Sequence, residues 1–275
     1  MMAKSSKERG RVIPATPSPE LADMLSAIRL RTPARLLVGR AGPSYRTATQ
    51  LDLRRDHAAA VDAVRTELDL ERDFGREFVE RWRLFEVATC AADKQEYLMR
   101  PDLGRRLSDA ARAEVGRECP KGCQLQIAIG DGLSASAVVS QVPPLLPALV
   151  AGAEQRGWSV GRAFYIRHCR VGVLNDIGEL LDPEIAVLLI GERPGLATAE
   201  SLSAYMAWRP RAGHTDAGRN LISNIHARGV PTAEAAERIL ALAGQMRQMK
   251  TSGSAVKELR TAASHVLTQG SGPTV

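Results

Sequence analysis

Residues Ile185-Ala186-Val187-Leu188-Leu189-Ile190 form an uninterrupted run of six apolar side chains. A strand covered on both faces reads this way, whereas a half-exposed strand alternates apolar with polar. The run stops at Gly191-Glu192-Arg193-Pro194-Gly195, a polar turn at its carboxyl end. In open α/β sheets, ligands lie in the crevice beyond the carboxyl ends of the strands. Glu192 and Arg193 therefore stand where a ligand would sit.

The rest of the chain supports a sheet of that kind. From about Leu125, strands alternate with helices, the mark of a parallel α/β sheet. Leu125–Ile129 reads as a strand, Gly130-Asp131-Gly132 as a turn and Ser134 as a helix N-cap. Pro144–Arg156 reads as a helix stopped by Gly157, Ser159–Arg167 as a strand, and Asp176–Leu181 as a short helix. Ala204–Trp208 fits a further strand, and Pro231 opens a last helix to about Lys250, proline being tolerated at the first helical position. Before Leu125 the pattern is mainly helical, with helical spacing in Glu20–Leu30, Thr49–Leu68 and the stretch ending at Glu118. The expected fold is α/β: a Rossmann-like, mostly parallel sheet flanked by helices, behind a mainly helical N-terminal region. The expected divisions are a disordered Pro/Ser-rich leader (1–19), the helical region (20–118), the Rossmann-like domain (119–250) and a flexible Ser/Gly/Thr-rich tail (251–275).

Composition narrows the function classes. With 275 residues, 44 % apolar and 25 % charged, the chain is an ordinary globular sequence, long enough for a core without staples. No apolar run reaches the roughly 18 residues of a membrane span, and Met-Met-Ala-Lys-Ser-Ser-Lys-Glu-Arg-Gly lacks the apolar segment of a secretory signal. The expectation is a cytoplasmic protein that meets no membrane. The net charge of +6 invites a nucleic-acid reading, but the basic residues are scattered and aromatics are only 4 %, leaving few platforms for stacking bases. Cys90, Cys119, Cys123 and Cys169 are expected as reduced thiols. The Cys119/Cys123 pair alone cannot close a four-ligand zinc site, so no metal is expected.

Three motifs carry candidate chemistry. Gly130-Asp-Gly-Leu-Ser-Ala135 fits GxGxxA after a strand, the pattern that brings a backbone close to a dinucleotide pyrophosphate. Asp131 would sit beside those phosphates and no acid follows the next strand for a ribose, so the favoured reading is a tight turn, with NADP binding as the alternative. Gly39-Arg-Ala-Gly-Pro43 lacks the Lys-Ser/Thr of a phosphate loop and reads as a turn with a structural or interface role. Asn224-Ile-His226-Ala-Arg-Gly229 approaches DxHxxG, in which a histidine ligates cobalt, but Asn replaces the carboxylate that would orient the ring. His226 is therefore read as a surface or pocket-lining residue. The five histidines (57, 168, 214, 226, 265) form no Ser/His/Asp or Cys/His arrangement, so no catalytic residue is assigned.

Taken together, the motifs have a family look. Arg-Thr-Pro-Ala-Arg (31–35), Gly-Arg-Ala-Gly-Pro (39–43), Asp56-His57, Arg-Pro-Asp-Leu-Gly-Arg-Arg-Leu (100–107), Asp-Gly-Leu-Ser (131–134), Ile-Gly-Glu-Leu-Leu (177–181), Gly-Glu-Arg-Pro-Gly-Leu (191–196) and Ile-Ser-Asn-Ile (222–225) occur in one order. In these pieces the chain resembles the small subunit of ethanolamine ammonia-lyase over residues 20 to 258. The resemblance implies an adenosylcobalamin enzyme of two chains that cleaves ethanolamine to acetaldehyde and ammonia by a radical mechanism. Substrate and radical chemistry would belong to the large barrel subunit, and the small subunit would cover the face of cobalamin that bears the nucleotide loop. It also implies cofactor contacts at Val171, Glu192 and Leu221, the last replacing a cysteine of relatives. Among these, an acceptor at a strand end, Glu192, is the one the residues themselves support, since it could take hydrogen bonds from corrin amides. Its competing reading is an ion pair with a neighbouring arginine. Enclosure in a bacterial microcompartment is consistent with the resemblance.

Overall fold

The computed structural model describes residues 19–31, 38, 40–195 and 198–258. The expected leader up to residue 18, the end of the expected tail from 259, and residues 32–35, Gly39 and Leu196 of the family pieces lie outside the described residues. The chain divides into two units, Met1–Asp52 and Leu53–Val275. The first holds helix α1 (Pro19–Arg31) and a small hairpin of strands β1 (Arg40–Ala41) and β2 (Ser44–Tyr45), followed by helix α2 (Thr47–Arg65). The hairpin turns at Gly42, whose φ of +61° explains a glycine there. Thus Arg40-Ala-Gly-Pro43 belongs to a hairpin turn, with Arg40 stacked on Tyr45 at 5.2 Å.

The second unit continues with α3 (Leu70–Phe74), α4 (Arg76–Trp82), β3 (Glu86–Ala88), α5 (Lys94–Met99), α6 (Asp109–Glu118), β4 (Leu125–Gly130), α7 (Ala135–Gln155), β5 (Phe164–Arg167), α8 (Leu174–Leu181), β6 (Ile185–Gly191), β7 (Leu202–Trp208), β8 (Asn220–Ile225) and α9 (Thr232–Met249). Among the described residues the main sheet has six strands in the order β3-β5-β4-β6-β7-β8. The first four are parallel, and β7 and β8 are added by antiparallel pairing. The fold is α/β with a mostly parallel sheet.

Both faces of the sheet are covered, as the run at Ile185 requires. Ile127, Ile129, Val187 and Leu189 pack with α7 and α9 on one face. Ala128, Leu188 and Ile190 pack with α6 and α8 on the other. All seven residues of β6 are buried. At about 25 cal/mol per Å² of apolar surface removed from water, a side chain buried on such a doubly covered strand contributes on the order of 2 kcal/mol.

Helix α7 and the helical stretch before Leu125 differ from the sequence reading, and the edge strand β8 has no counterpart in it. Helix α7 begins at Ala135 and runs through Pro143, Pro144 and Pro147 instead of starting after them. Proline in a helix interior forfeits a hydrogen bond and normally kinks or ends the helix. Here the cost is met by burial: Val138, Val142, Leu145, Leu146 and Leu149 are wholly buried along the opposite face, while Pro144 and the Ser140 carbonyl it leaves free lie at an exposed position. By length and composition α7 could cross a membrane, but half of that window is buried in the protein, and at Gly152 a Cβ would lie 2.4 Å from Leu240 of α9. It is a core helix. Glu86–Ala88, inside the stretch read as mainly helical, is the edge strand beside β5. Ile222-Ser-Asn-Ile belongs to the other edge strand, β8. Pro231 opens α9 as expected, at its N-cap, and the helix closes at Lys250. The start of the expected tail is docked: Asn220 donates to the carbonyls of Gly253 and Val256, and Val256 is buried.

Candidate functional site

The chain leaves β4 toward β5 on one side and leaves β6 toward β7 on the other. Between the carboxyl ends of β4 and β6 the strand order therefore reverses, which is where open α/β sheets form their ligand crevice. A cavity of about 470 Å³ lies at these ends. Its walls come from Gly132-Leu133 after β4, Cys169–Val171 after β5, Gly191–Arg193 after β6, Ser203 and Tyr205 of β7, and Leu221 and Ser223 of β8. Val171, Glu192 and Leu221 all line it. They come from three separate parts of the chain and meet because β5 and β8 each lie one strand removed from β6 in the sheet.

Two of the family pieces interlock beneath the cavity. Gly132, at φ +56°, comes so close to β6 that a Cβ there would lie 2.2 Å from the Gly191 carbonyl oxygen. A Cβ on Gly191 would in turn lie 2.1 Å from the Ser134 carbonyl oxygen. Leu133 N–H donates to the Gly191 carbonyl at 3.1 Å, and Ser134 caps α7 by accepting from Ala137 N–H at 3.1 Å. The glycines of GxGxxA thus admit a neighbouring strand of the same chain, not a pyrophosphate. Asp131, 1 % exposed, points its carboxylate at the backbone N–H groups of His168 (3.0 Å) and Cys169 (2.8 Å). That carboxylate takes an anion's place at the turn after β5, so the NADP alternative finds no support here.

Glu192 is held by its own chain. Its Oε1 accepts from Ser203 Oγ (2.5 Å) and Asn224 N–H (2.9 Å), and its Oε2 accepts from Ser201 Oγ (2.7 Å). The competing reading of Glu192, a pair with a neighbouring arginine, is replaced by this three-way clasp, which ties β6 to β7 and β8. A carboxylate offers about four acceptor positions, so one on Oε2 remains for a ligand donor. Arg193, exposed at the rim, forms no hydrogen bond or ion pair with the described residues. Arg170, also in the wall, lies 4.4 Å over the Tyr97 ring, and its Nε is buried without a hydrogen-bond partner. The cavity thus combines an apolar side (Val171, Leu221), a fixed acceptor and two arginines.

Near relatives by sequence point the same way. The family described as Ethanolamine ammonia-lyase light chain (EutC) matches residues 22–257. The chain belongs to this ethanolamine ammonia-lyase light-chain family. It is 41 % identical over 230 residues to the ethanolamine ammonia-lyase small subunit of Clostridium perfringens, covering 84 % of this chain and 76 % of that one. It is 40 % identical over 240 residues to the small subunit of Clostridioides difficile, covering 87 % and 80 %. A small subunit of Fusobacterium nucleatum is 41 % identical over 227 residues. The designation small subunit implies a large partner chain for each of these proteins.

Within this light-chain fold His226 stands differently from its sequence reading. It is buried (4 % exposed) and does not line the cavity. Its Nδ1 accepts from Arg228 N–H at 3.3 Å, which leaves the proton on Nε2 to donate to Asn224 Oδ1 at 2.7 Å. Burial, with Arg228 nearby, holds its pKa below the ordinary value. Both ring nitrogens are used inside the turn 224–230, and Asn224 adopts φ +60°, a conformation asparagine tolerates. His226 is a structural pin of the turn that carries the Asn224 N–H to Glu192.

Sequence reasoning missed Ser201, Ser203 and Tyr205. Their signal was present: Ser201, Ser203 and Tyr205 alternate with Leu202, Ala204 and Met206, the period of a strand with one polar face. Reading that strand only from Ala204 hid the polar face. Asp131 and Tyr97 had no local signal, because their roles depend on the turn after β5.

Proposed function

We propose that this chain is the cofactor-holding small subunit of an adenosylcobalamin-dependent ethanolamine ammonia-lyase, a carbon–nitrogen lyase of two kinds of chain. The observation that carries the reading is the meeting of Val171, Glu192 and Leu221 around one cavity at the switch point of the sheet. A corrin ring with its amide arms and nucleotide loop is much larger than 470 Å³. This chain therefore covers one part of it, and the large subunit encloses the remainder. The residues suit the nucleotide-loop side. The remaining acceptor of Glu192 fits an amide N–H, Val171 and Leu221 fit apolar surface, and Arg170 and Arg193 fit the phosphate that a nucleotide loop carries.

When bound, the cofactor supplies homolysis of a cobalt–carbon bond as the source of a radical. This chain's own residues bind and orient. Glu192 is fixed by Ser201, Ser203 and Asn224 before any ligand arrives, so little side-chain entropy is lost on binding. Leu221 contributes packing and backbone. Ethanolamine would be bound by the large subunit. Residues 119–250 form the Rossmann-like, cobalamin-covering part in this reading, and 20–118 the mainly helical remainder. The setting we infer is the cytoplasm, with a protein microcompartment as one enclosure such an enzyme suits.

The test is acetaldehyde release from ethanolamine with adenosylcobalamin, using this chain alone, the matching large subunit alone, and both together. Activity only with both is expected. A folded pair that binds cobalamin yet releases no acetaldehyde would overturn the substrate.

A further inference from the structure

The turn after β5 has every backbone polar group accounted for by its neighbours, and most of its partners are side chains. His168 N–H and Cys169 N–H both donate to the Asp131 carboxylate, at 3.0 and 2.8 Å. The His168 carbonyl accepts from Thr89 Oγ1 at 3.0 Å, and the Cys169 carbonyl from Tyr97 Oη at 3.0 Å. Arg170 N–H donates to the Gly104 carbonyl at 2.8 Å. His168 sits at φ +58°, a left-handed conformation that costs a non-glycine residue about 1–2 kcal/mol and persists only where the surroundings impose it. Successive N–H groups around such a residue make an anion-binding concavity, and here the anion is built in.

Asp131 is 1 % exposed, and its charge is matched by Lys94, whose Nζ lies 3.4 Å from Oδ2 with a side chain 11 % exposed. The same Nζ lies 3.4 Å from the Gly132 carbonyl, on the other wall of the cavity. The very next residues of the pinned turn, Arg170 and Val171, line the cavity. Gly104 permits this arrangement, since a Cβ there would lie 2.7 Å from Arg170 Cγ and 2.9 Å from the His168 carbonyl oxygen.

We propose that Asp131, with Lys94 as its counter-charge, is the positioning residue of the cofactor cavity: it holds the left-handed turn that presents Arg170 and Val171 to the ligand. The proposal rests on the cofactor reading above. It gives this buried ion pair a task beyond stability, because a buried pair is by itself weak evidence for stabilisation.

The experiment uses the assembled complex of this chain with its large subunit and hydroxocobalamin as the probe. Affinity is read by equilibrium dialysis, and assembly and melting temperature are read on the same preparations. Asp131→Asn keeps the shape but loses one acceptor and the charge. Lys94→Met keeps the stem and loses the counter-charge, whereas Lys94→Arg keeps it. Asp131→Asn and Lys94→Met are expected to weaken hydroxocobalamin binding per assembled complex by about tenfold or more, with Lys94→Arg within about threefold of wild type. A lower melting temperature with unchanged affinity in the assembled variants would overturn the proposal, leaving the pair a structural one. If Asp131→Asn does not assemble, Lys94→Met decides by the same criterion. Failure of the wild-type complex to bind the probe would instead overturn the cofactor reading, and this inference with it.

Discussion

Replacing Glu192 separates two roles that the cavity gives to one carboxylate. In Glu192→Ala the hydroxyls of Ser201 and Ser203, 7 % and 3 % exposed, lose their acceptor, while the Asn224 N–H lies at an exposed position where water can replace it. An unsatisfied buried hydroxyl costs about 1–3 kcal/mol. Taking the lower half of that range for each serine gives a loss of about 2–4 kcal/mol, or roughly 4–16 °C in melting temperature for a unit of this size. In Glu192→Gln the carbonyl can still accept from Ser203 and Asn224, and the amide can donate to Ser201, whose hydroxyl turns to accept. Stability should then fall by less than about 1 kcal/mol. The position left for a ligand on Oε2, however, changes from acceptor to donor. Glu192→Gln should therefore melt close to wild type yet bind cobalamin, in the two-chain complex, about tenfold more weakly. Thermal unfolding of this chain and equilibrium dialysis of the complex measure the two effects. Wild-type affinity in Glu192→Gln would refute the cofactor contact, and a melting loss below about 1 kcal/mol in Glu192→Ala would refute the clasp.

Three further outcomes follow from the geometry. Gly132→Ala forces a Cβ to within 2.2 Å of the Gly191 carbonyl at a positive φ and should cost at least about 2–3 kcal/mol, whereas Gly116→Ala, in α6 with open space around it, should stabilise by about 0.5–1 kcal/mol; denaturant melts compare them. His226 titrates below its ordinary value in the folded chain, so the unfolded chain takes up the proton first. The contribution of His226 is full above pH ~6.5 and is lost as pH falls toward its folded value. His226→Gln should remove that part of the pH slope even if it lowers stability throughout, and an unchanged slope in the variant would show that another group titrates. Arg193→Ala should weaken cobalamin binding about threefold to tenfold at low salt and by less at high salt, because an exposed charge is screened; equal loss at both salt concentrations would argue against an electrostatic contact.

Local pattern alone fixed much of this molecule. The run Ile185–Ile190 pointed to a strand covered on both faces, because a sheet with helices on both sides buries successive apolar side chains on each face. Ser134 declared a helix start, since its hydroxyl can satisfy a free N–H of the first turn. The Gly-Glu-Arg-Pro-Gly turn placed charge at a strand end, where the cavity lies. Pattern misjudged α7, where proline's local cost is offset by burial that includes β6 and α9, both distant from it in sequence. It also misjudged His226, whose ring is satisfied by a turn closed through Gly229, where even a Cβ would lie 2.3 Å from the Asn224 carbonyl oxygen.

What only the tertiary structure decided is which residues share the cavity and what each carboxylate there does. The order β5-β4-β6-β7-β8 brings Val171, Glu192 and Leu221 together, and strand order is set by how whole layers pack, not by any local spacing. Asp131 and Glu192 each follow a buried strand and read alike as acids in glycine turns. The fold makes Asp131 an internal anion under the turn after β5 and leaves Glu192 half-exposed with one acceptor to spare. Hydrogen-bond partners from distant strands assign those roles, and sequence order carries no record of them.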